Sequence, residues 1–360
     1  NDLETNPDEN ILAIIEYERN YKTEGVDKES GLQVISRAIP DIKNGIINVG
    51  LIGAGGYAAG TLLPVIAELP DKYRLHTVVD RNGKKAFDAT RRFNALKASG
   101  DIKDVTENPA IDLVLITTRH ANHAELVLQC LRAGKNVFVE KPLATTREQL
   151  DEIRDFYRTG PLQEKPMLMV GFNRRFSAYM QAVKRHVDKR INPLFIHYRM
   201  NAGFAPADSW VHEDGGRIVG EACHLVDLML FLTGSVIKEI SINSLDPVND
   251  TFQRSDNKSI SLKFEDGSLA VIDYFATGSK ELPKEMIEIH FDMKSIIVHD
   301  YKKIEGYGVK VKNIGSKTSA KGQPEEMKAL YDALVKTKEW PISLEEMILT
   351  TEMTFLINSV

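Results

Sequence analysis

The sequence predicts an α/β chain in two parts: a doubly wound parallel sheet, then an α+β region with a mostly antiparallel open sheet. Three observations predict it. An apolar run of strand length at 46–52 meets Gly53-x-Gly55-x-x-Ala58, and a helix-like segment follows at 57–69; this is how a parallel βαβ unit is built. From residue 46 to about 171, strand and helix patterns alternate regularly, the signature of a parallel sheet covered by helices. After residue 194 the pattern changes to closely spaced strands.

The elements follow in order. Residues 11–17 and 32–39 each have strand character, with a charged stretch between them, and 41–45 reads as a linker. Parallel strands are expected at 46–52, 73–79, 112–117, 136–139 and 167–171, with helices at 57–69, 84–98, 123–133 and 146–157. Gly134 is a suitable helix stop before the strand at 136. A helix at 177–187 comes next, then strands at 194–200, 237–242, 259–264, 268–275, 286–291 and 295–299. Glu265-Asp266-Gly267 is the turn of a hairpin. A helix at 220–232 interrupts the strands, and helices at 324–338 and 343–358 close the chain.

A chain of 360 residues exceeds what one core usually supports, so two domains are expected. The divisions are 1–45 as an extension or linker, 46–172 as a nucleotide domain and 173–360 as a substrate domain, with a cleft between the last two. The 46 basic and 51 acidic residues leave a net charge of −5, which points away from nucleic acid and anionic membranes as partners. No apolar run reaches the length of a membrane span, and no signal-peptide pattern opens the chain. Cys130 and Cys223 are the only cysteines, as expected in a reducing cytoplasm. No metal site is expected.

At the first βα turn, Gly53 permits the tight bend, Gly55 lets backbone N–H groups approach a pyrophosphate, and small Ala58 lets helix and strand pack closely. The second strand ends in Asp80, whose carboxylate can hold both ribose hydroxyls of an adenosine. These features predict a Rossmann-type dinucleotide site. Asp80 favours NAD, because it would repel a 2′-phosphate; Arg81 can instead bind that phosphate, so NADP stays open. The expected cofactor set is Gly53, Gly55, Gly56, Tyr57, Ala58, Asp80, Arg81, Thr117, Thr118, His120, His123, Glu140 and Lys141. For His123 a plainer role is starting the helix that follows.

Val137-Phe138-Val139-Glu140-Lys141-Pro142 places a lysine at the carboxyl end of a buried parallel strand, where ligands bind in open α/β sheets. An ammonium there can hold a substrate hydroxyl and stabilise the alkoxide from which hydride leaves. The plainer alternative is a surface Lys-Pro turn. In Gly220-Glu221-Ala222-Cys223-His224-Leu225-Val226-Asp227, a helix brings Glu221, His224 and Asp227 near one face. A histidine flanked by carboxylates can act as a general base, a role worth about 10²–10⁴ in rate; the alternative is a histidine satisfied in the core. At Gly171-Phe172-Asn173-Arg174-Arg175-Phe176, paired arginines can hold an anionic or polyhydroxylated substrate. Spacing does not say which of them is only a structural ion pair.

Together these motifs resemble the family of glucose-fructose oxidoreductase, inositol dehydrogenase and rhizopine-catabolism-like proteins (Gfo/Idh/MocA). The resemblance runs from about residue 46 to the end. It rests on G-A-G-G-Y-A, A-G-K-N-V-F-V-E-K-P-L-A-T-T, G-F-N-R-R-F, the G-G…H-L-V-D block and P-I-S-L-E-E. The pairing of T-R-H-x-x-H-A with G-G-R-I-V-G-E-A-C-H looks most like the C-terminal half of bi-domain oxidoreductases. That likeness would make residues 1–45 the tail of a preceding module.

The resemblance implies catalytic roles for Lys141 and His224, and a cleft lined by Asn173 and Arg175. Asp227 is implied as structural support. Many members carry an aspartate four residues before the histidine; here Gly220 stands there, with Glu221 next to it as candidate catalytic and substrate-binding carboxylate. The expectation is an NAD(P)-dependent oxidoreductase acting on a secondary hydroxyl of a sugar, nucleotide-sugar or polyol. It would be a homo-oligomer through the C-terminal sheet. The alternatives are a dinucleotide- or sugar-sensing binder without turnover, and one module of a bi-domain enzyme, inactive alone.

Overall fold

The structure, a computed structural model, describes residues 12–14, 45–249 and 251–359. The strand expected at 32–39 lies outside the described residues. Of the one expected at 11–17, Leu12–Ile14 is described and forms edge strand β1.

The first sheet has six strands among the described residues: β2 (Ile47–Ile52), β3 (Tyr73–Val79), β4 (Lys97–Ser99), β5 (Leu113–Ile116), β6 (Asn136–Val139) and β7 (Leu168–Val170). Their order is β4-β3-β2-β5-β6-β7, and every neighbouring pair is parallel. β5, β6 and β7 are buried at every position, as strands covered by helices on both faces must be. The helices are α1 (a π-helical turn Ala58–Leu62 running into Leu63–Ala67), α2 (Gly83–Arg92), α3 (Lys103–Thr106), α4 (His123–Arg132) and α5 (Arg147–Arg158). Strand order reverses at β2, with β3 on one side and β5 on the other. This switch point opens a crevice beyond the carboxyl ends of the strands.

One helix differs from expectation. The segment 84–98 does not stay helical: α2 stops at Arg92, Asn94 turns left-handed at φ 54°, and Lys97–Ser99 pairs with β3 as a short edge strand. A left-handed residue cannot continue a right-handed helix, and no local hydrophobic pattern announces a three-residue edge. Gly134, at φ 76°, ends α4 as predicted.

The second sheet orders its strands β1-β9-β10-β11-β8-β12-β13-β14. They are β8 (Phe195–Asn201), β9 (Ile237–Ser244), β10 (Lys258–Phe264), β11 (Leu269–Phe275), β12 (Glu285–Phe291), β13 (Lys294–His299) and β14 (Lys303–Tyr307). All pairs are antiparallel except β11 with β8. Burial alternates along β10, β11 and β12, so one face packs and the other is open. Gly267 turns the β10–β11 hairpin at φ 89°. β14 had no prediction; its polar, half-exposed residues carry a weak strand signal.

Helices α6 (Ala178–Val187) and α7 (Cys223–Thr233) cover the packed face, with Tyr179, Val183, Leu225 and Met229 in the second core. The chain then returns. In α8 (Gln323–Asp332) and α9 (Leu344–Asn358), Met327, Leu330 and Met347 join the first core, while Met353 and Ile357 join the second. One helix therefore packs into both cores and fixes the crevice between them. No helix among the described residues is long and apolar enough to cross a membrane.

Candidate active site

The cofactor end is built where β2, β3 and β5 stop. Gly53 turns at φ 98°, and a Cβ there would lie 2.9 Å from the backbone of Thr117 and Thr118. The chain after β5 thus crosses directly over Gly53, and the Thr117 hydroxyl donates to its carbonyl at 2.5 Å. Above Gly55 and Gly56 a Cβ would meet nothing within 4 Å. That open backbone at the start of α1 fits a pyrophosphate. The Asp80 carboxylate accepts the Ala54 N–H and the Asn82 N–H, each at 2.8 Å. It is thereby held at the mouth of the turn, while Arg81 is exposed beside it. These residues fit a dinucleotide.

Glu140 is buried under Gly171, where a Cβ would come within 2.9 Å of its carboxylate. Burial raises its pKa against the opposing effect of Lys141. The Tyr57 hydroxyl lies against this carboxyl, and its pKa is raised by burial and then by Glu140.

Lys141 leaves the carboxyl end of β6 and spans to the second part of the molecule, donating from Nζ to the Gly220 carbonyl at 2.7 Å. The Lys141–Pro142 peptide is cis. Around the ammonium lies a cavity of about 240 Å³ lined by His120, Lys141, Ala205, Trp210, Val211, Arg217, Gly220 and Glu221. Glu221 is not a free carboxylate: it accepts from Tyr274 Oη at 2.8 Å and from Lys284 Nζ at 2.5 Å. Burial opposes its charge, but Lys284, Tyr274 and Lys141 hold its pKa below the ordinary value. Arg217 donates to the carbonyls of Gly203 (2.7 Å) and Ala202 (2.9 Å) and pairs with Asp256. It pins the loop that carries Trp210.

His224 sits in the first turn of α7, buried, with its ring 6.2 Å from that of Phe172. Its Nδ1 is sealed and without a hydrogen-bond partner. Burial first, then Arg174 and Lys141, push its pKa well below the ordinary value, so the ring is neutral at pH 7. A neutral imidazole can accept a proton.

Several expected site residues have other work. Arg175 is 3% exposed; it is bidentate to Asp227, at 3.1 and 2.6 Å, and also meets Glu346 at 3.3 Å. The expectation that it holds substrate is corrected: its donors are taken by carboxylates. Arg174 is likewise paired, to Glu285 at 2.9 and 3.0 Å. Both arginines of the motif are therefore buried ion pairs. Asn173 is buried and donates to the Lys321 carbonyl at 2.9 Å.

His123 is corrected as a cofactor ligand. Its Nδ1 meets the Pro142 carbonyl at 2.7 Å and its Nε2 the Thr118 carbonyl at 3.2 Å. It starts α4 and staples the loop after β5 to the Glu140-Lys141-Pro142 turn. Glu221, His224 and Asp227 do not form one polar face, since Glu221 and Asp227 each have separate partners and a π-helical turn at Ile218–Ala222 precedes α7. Trp210, Arg217, Tyr274 and Lys284 were not foreseen as site residues. Trp210 is one of only two tryptophans and lies in a polar loop, the one signal available.

A parallel sheet whose first turn fits a dinucleotide thus opens on a lysine-bearing cavity. The family model described as "Oxidoreductase family, NAD-binding Rossmann fold" (Gfo/Idh/MocA) matches residues 47–172, so this part of the chain is similar to that family's nucleotide-binding fold. A myo-inositol 2-dehydrogenase of Thermotoga maritima is 25% identical over 63% of this chain and 68% of its own length. An inositol 2-dehydrogenase of Saccharopolyspora erythraea is 27% identical over 72% and 77%. Among solved structures, a levoglucosan dehydrogenase in complex with NADH and levoglucosan superposes with a TM-score of 0.73 at 19% identity, over 87% of this chain and 96% of that one. An NAD-binding oxidoreductase from Klebsiella pneumoniae gives 0.73 at 18% identity, over 86% and 96%. At these identities the solved structures speak for the fold.

Proposed function

We propose that this chain moves hydride between a nicotinamide cofactor and a secondary hydroxyl, or the matching ketone, of a sugar, nucleotide-sugar or polyol. The observation that carries the reading is Lys141. Its ammonium stands at the carboxyl end of β6, beside the dinucleotide turn, and opens into a cavity while spending one donor on Gly220. An ammonium has three donors, so two remain for a substrate oxygen.

Lys141 holds the hydroxyl and stabilises negative charge on its oxygen as the C–H bond is broken. His224, buried and neutral in the first turn of α7, is the residue that accepts the hydroxyl proton in this reading. NAD, when bound, supplies the carbon that takes the hydride. Trp210, half-exposed with its ring on the cavity, offers a flat apolar wall to the C–H face of a sugar ring. The named activities of the relatives, on inositols and levoglucosan, fall in this substrate class. NAD is preferred over NADP because the Asp80 carboxylate, just after β3, would repel a 2′-phosphate.

The test is a fluorescence titration with NADH and with NADPH, followed by a turnover screen of cyclic polyols, pyranoses and nucleotide-sugars. Saturable binding with turnover of one class supports the reading. Absence of binding to either dinucleotide refutes it.

A further inference from the structure

His120 belongs to the loop after β5, where a polar side chain is expected to face the cofactor ribose. Its ring lies on the wall of the cavity that holds Lys141 and Glu221. A Cβ on Gly220 would be 2.7 Å from His120 Cε1 and 3.2 Å from Nδ1. The ring therefore stands in space that is free only because residue 220 has no side chain. The same Gly220 takes the Lys141 ammonium on its carbonyl, so imidazole and ammonium converge on one backbone residue.

Apart from Lys141, the other polar side chains of the cavity are committed. Arg217 holds two carbonyls and Asp256, and Glu221 is held by Tyr274 and Lys284. The contacts of His120 are ring edges, with Trp210 at 5.7 Å and His123 at 5.9 Å. No described residue forms a hydrogen bond with either of its ring nitrogens. Resting on the dehydrogenase reading above, we propose that His120 is a substrate-binding residue that hydrogen-bonds a hydroxyl of the sugar or polyol, in the space Gly220 leaves open.

Burial first and Lys141 next push the imidazole pKa down to about 3, so the ring is neutral. A neutral imidazole has one donor and one acceptor nitrogen, which matches a hydroxyl and suits an anionic pyrophosphate poorly. With Trp210 beside it, the ring pairs a polar edge with an apolar face, the two surfaces that a cyclic polyol presents.

The experiment compares parent, His120→Ala, His120→Gln and Gly220→Ala, using NADH titration and steady-state kinetics on the best substrate of the turnover screen. His120→Ala should raise the substrate KM about tenfold or more, the loss expected when a site built to hydrogen-bond a hydroxyl loses its partner. NADH affinity should stay at the parent value. Gly220→Ala should reproduce the KM effect, because the new Cβ displaces the ring, and the double variant should be no worse than either single one. His120→Gln, which keeps a donor and an acceptor, should recover part of the loss. A matching fall in NADH affinity would overturn the proposal and return His120 to the cofactor. Unchanged KM and kcat in His120→Ala would overturn it with the dehydrogenase reading intact. A parent chain that binds NADH but turns over no sugar or polyol would end that reading and the His120 role with it.

Discussion

Replacing Lys141 with alanine removes an ammonium that joins the parallel sheet to the cavity. In the parent, one of its donors is fixed on Gly220 at 2.7 Å, which holds the other two toward the cavity without further reorganisation. The cavity measures about 240 Å³, and Lys141 is the ammonium in its lining that can meet charge on a substrate oxygen. Deleting one preorganised donor to a developing oxyanion costs about 2.7–4 kcal/mol, or about 10²–10³ in turnover. The loss should appear in kcat and kcat/KM together, the pattern of an interaction made in the transition state. Gly53 and Asp80, expected to bind the cofactor, are held by Thr117 and by backbone N–H groups rather than by Lys141; NADH affinity should therefore remain at the parent value. Steady-state kinetics, an NADH titration and a thermal melt on the same preparation separate these effects. Unchanged turnover in a folded variant, or a loss confined to NADH binding, would refute the role.

Gly53→Ala should weaken NADH binding at least about tenfold, since it combines a left-handed residue, costing about 1–2 kcal/mol, with a 2.9 Å approach to the Thr117 backbone. Gly100→Ala, where a Cβ meets nothing within 4 Å, is the control, and an equal effect there would sink the argument. Asp80→Asn should weaken NADH binding more than NADPH binding, and Arg81→Ala should do the reverse; paired titrations read both. Glu285→Gln should destabilise the fold by about 3–5 kcal/mol, because it leaves the buried Arg174 without its carboxylate; denaturant unfolding measures this.

The same carboxylate sets an acid limit. Burial would raise the Glu285 pKa, but Arg174 and Lys321 hold it far below its ordinary 4.5. A carboxyl depressed in the folded state binds fewer protons there than in the unfolded chain. Its contribution is complete above about pH 4.5 and is lost as pH falls toward the folded value. Parent stability should decline below about pH 4.5, and the Glu285→Gln variant should decline less over that range. Parallel curves would contradict the assignment.

Much of this molecule was legible because the signals are local. The turn at Gly53 depends on bond geometry and on the absence of side chains, both written in the six residues from Gly53 to Ala58. Buried parallel strands such as β5 and β6 read as unbroken apolar runs, and Gly134 before β6 and Gly267 in the β10–β11 hairpin mark turns by conformational need. The misread part of 84–98 was its end, where Lys97–Ser99 forms a three-residue edge strand supported by pairing with β3. β14 was missed for the same reason.

The site divides in the same way. Position in the first sheet followed from sequence for Gly53, Asp80 and Lys141, because the carboxyl ends of parallel strands lie together in any doubly wound fold. Arg174 and Arg175 are adjacent in sequence and identical in chemistry; only the placement of Glu285 on β12 and Asp227 on α7 turned both into buried ion pairs. His120 and Gly220 are 100 positions apart, and nothing local in either indicates that one ring fills the other's missing side chain. Local rules determined the strands, the turns and the cofactor fingerprint. The cavity, its charges and its free imidazole were decided by long-range packing, chiefly by α9, which enters both cores and holds the two halves at one distance.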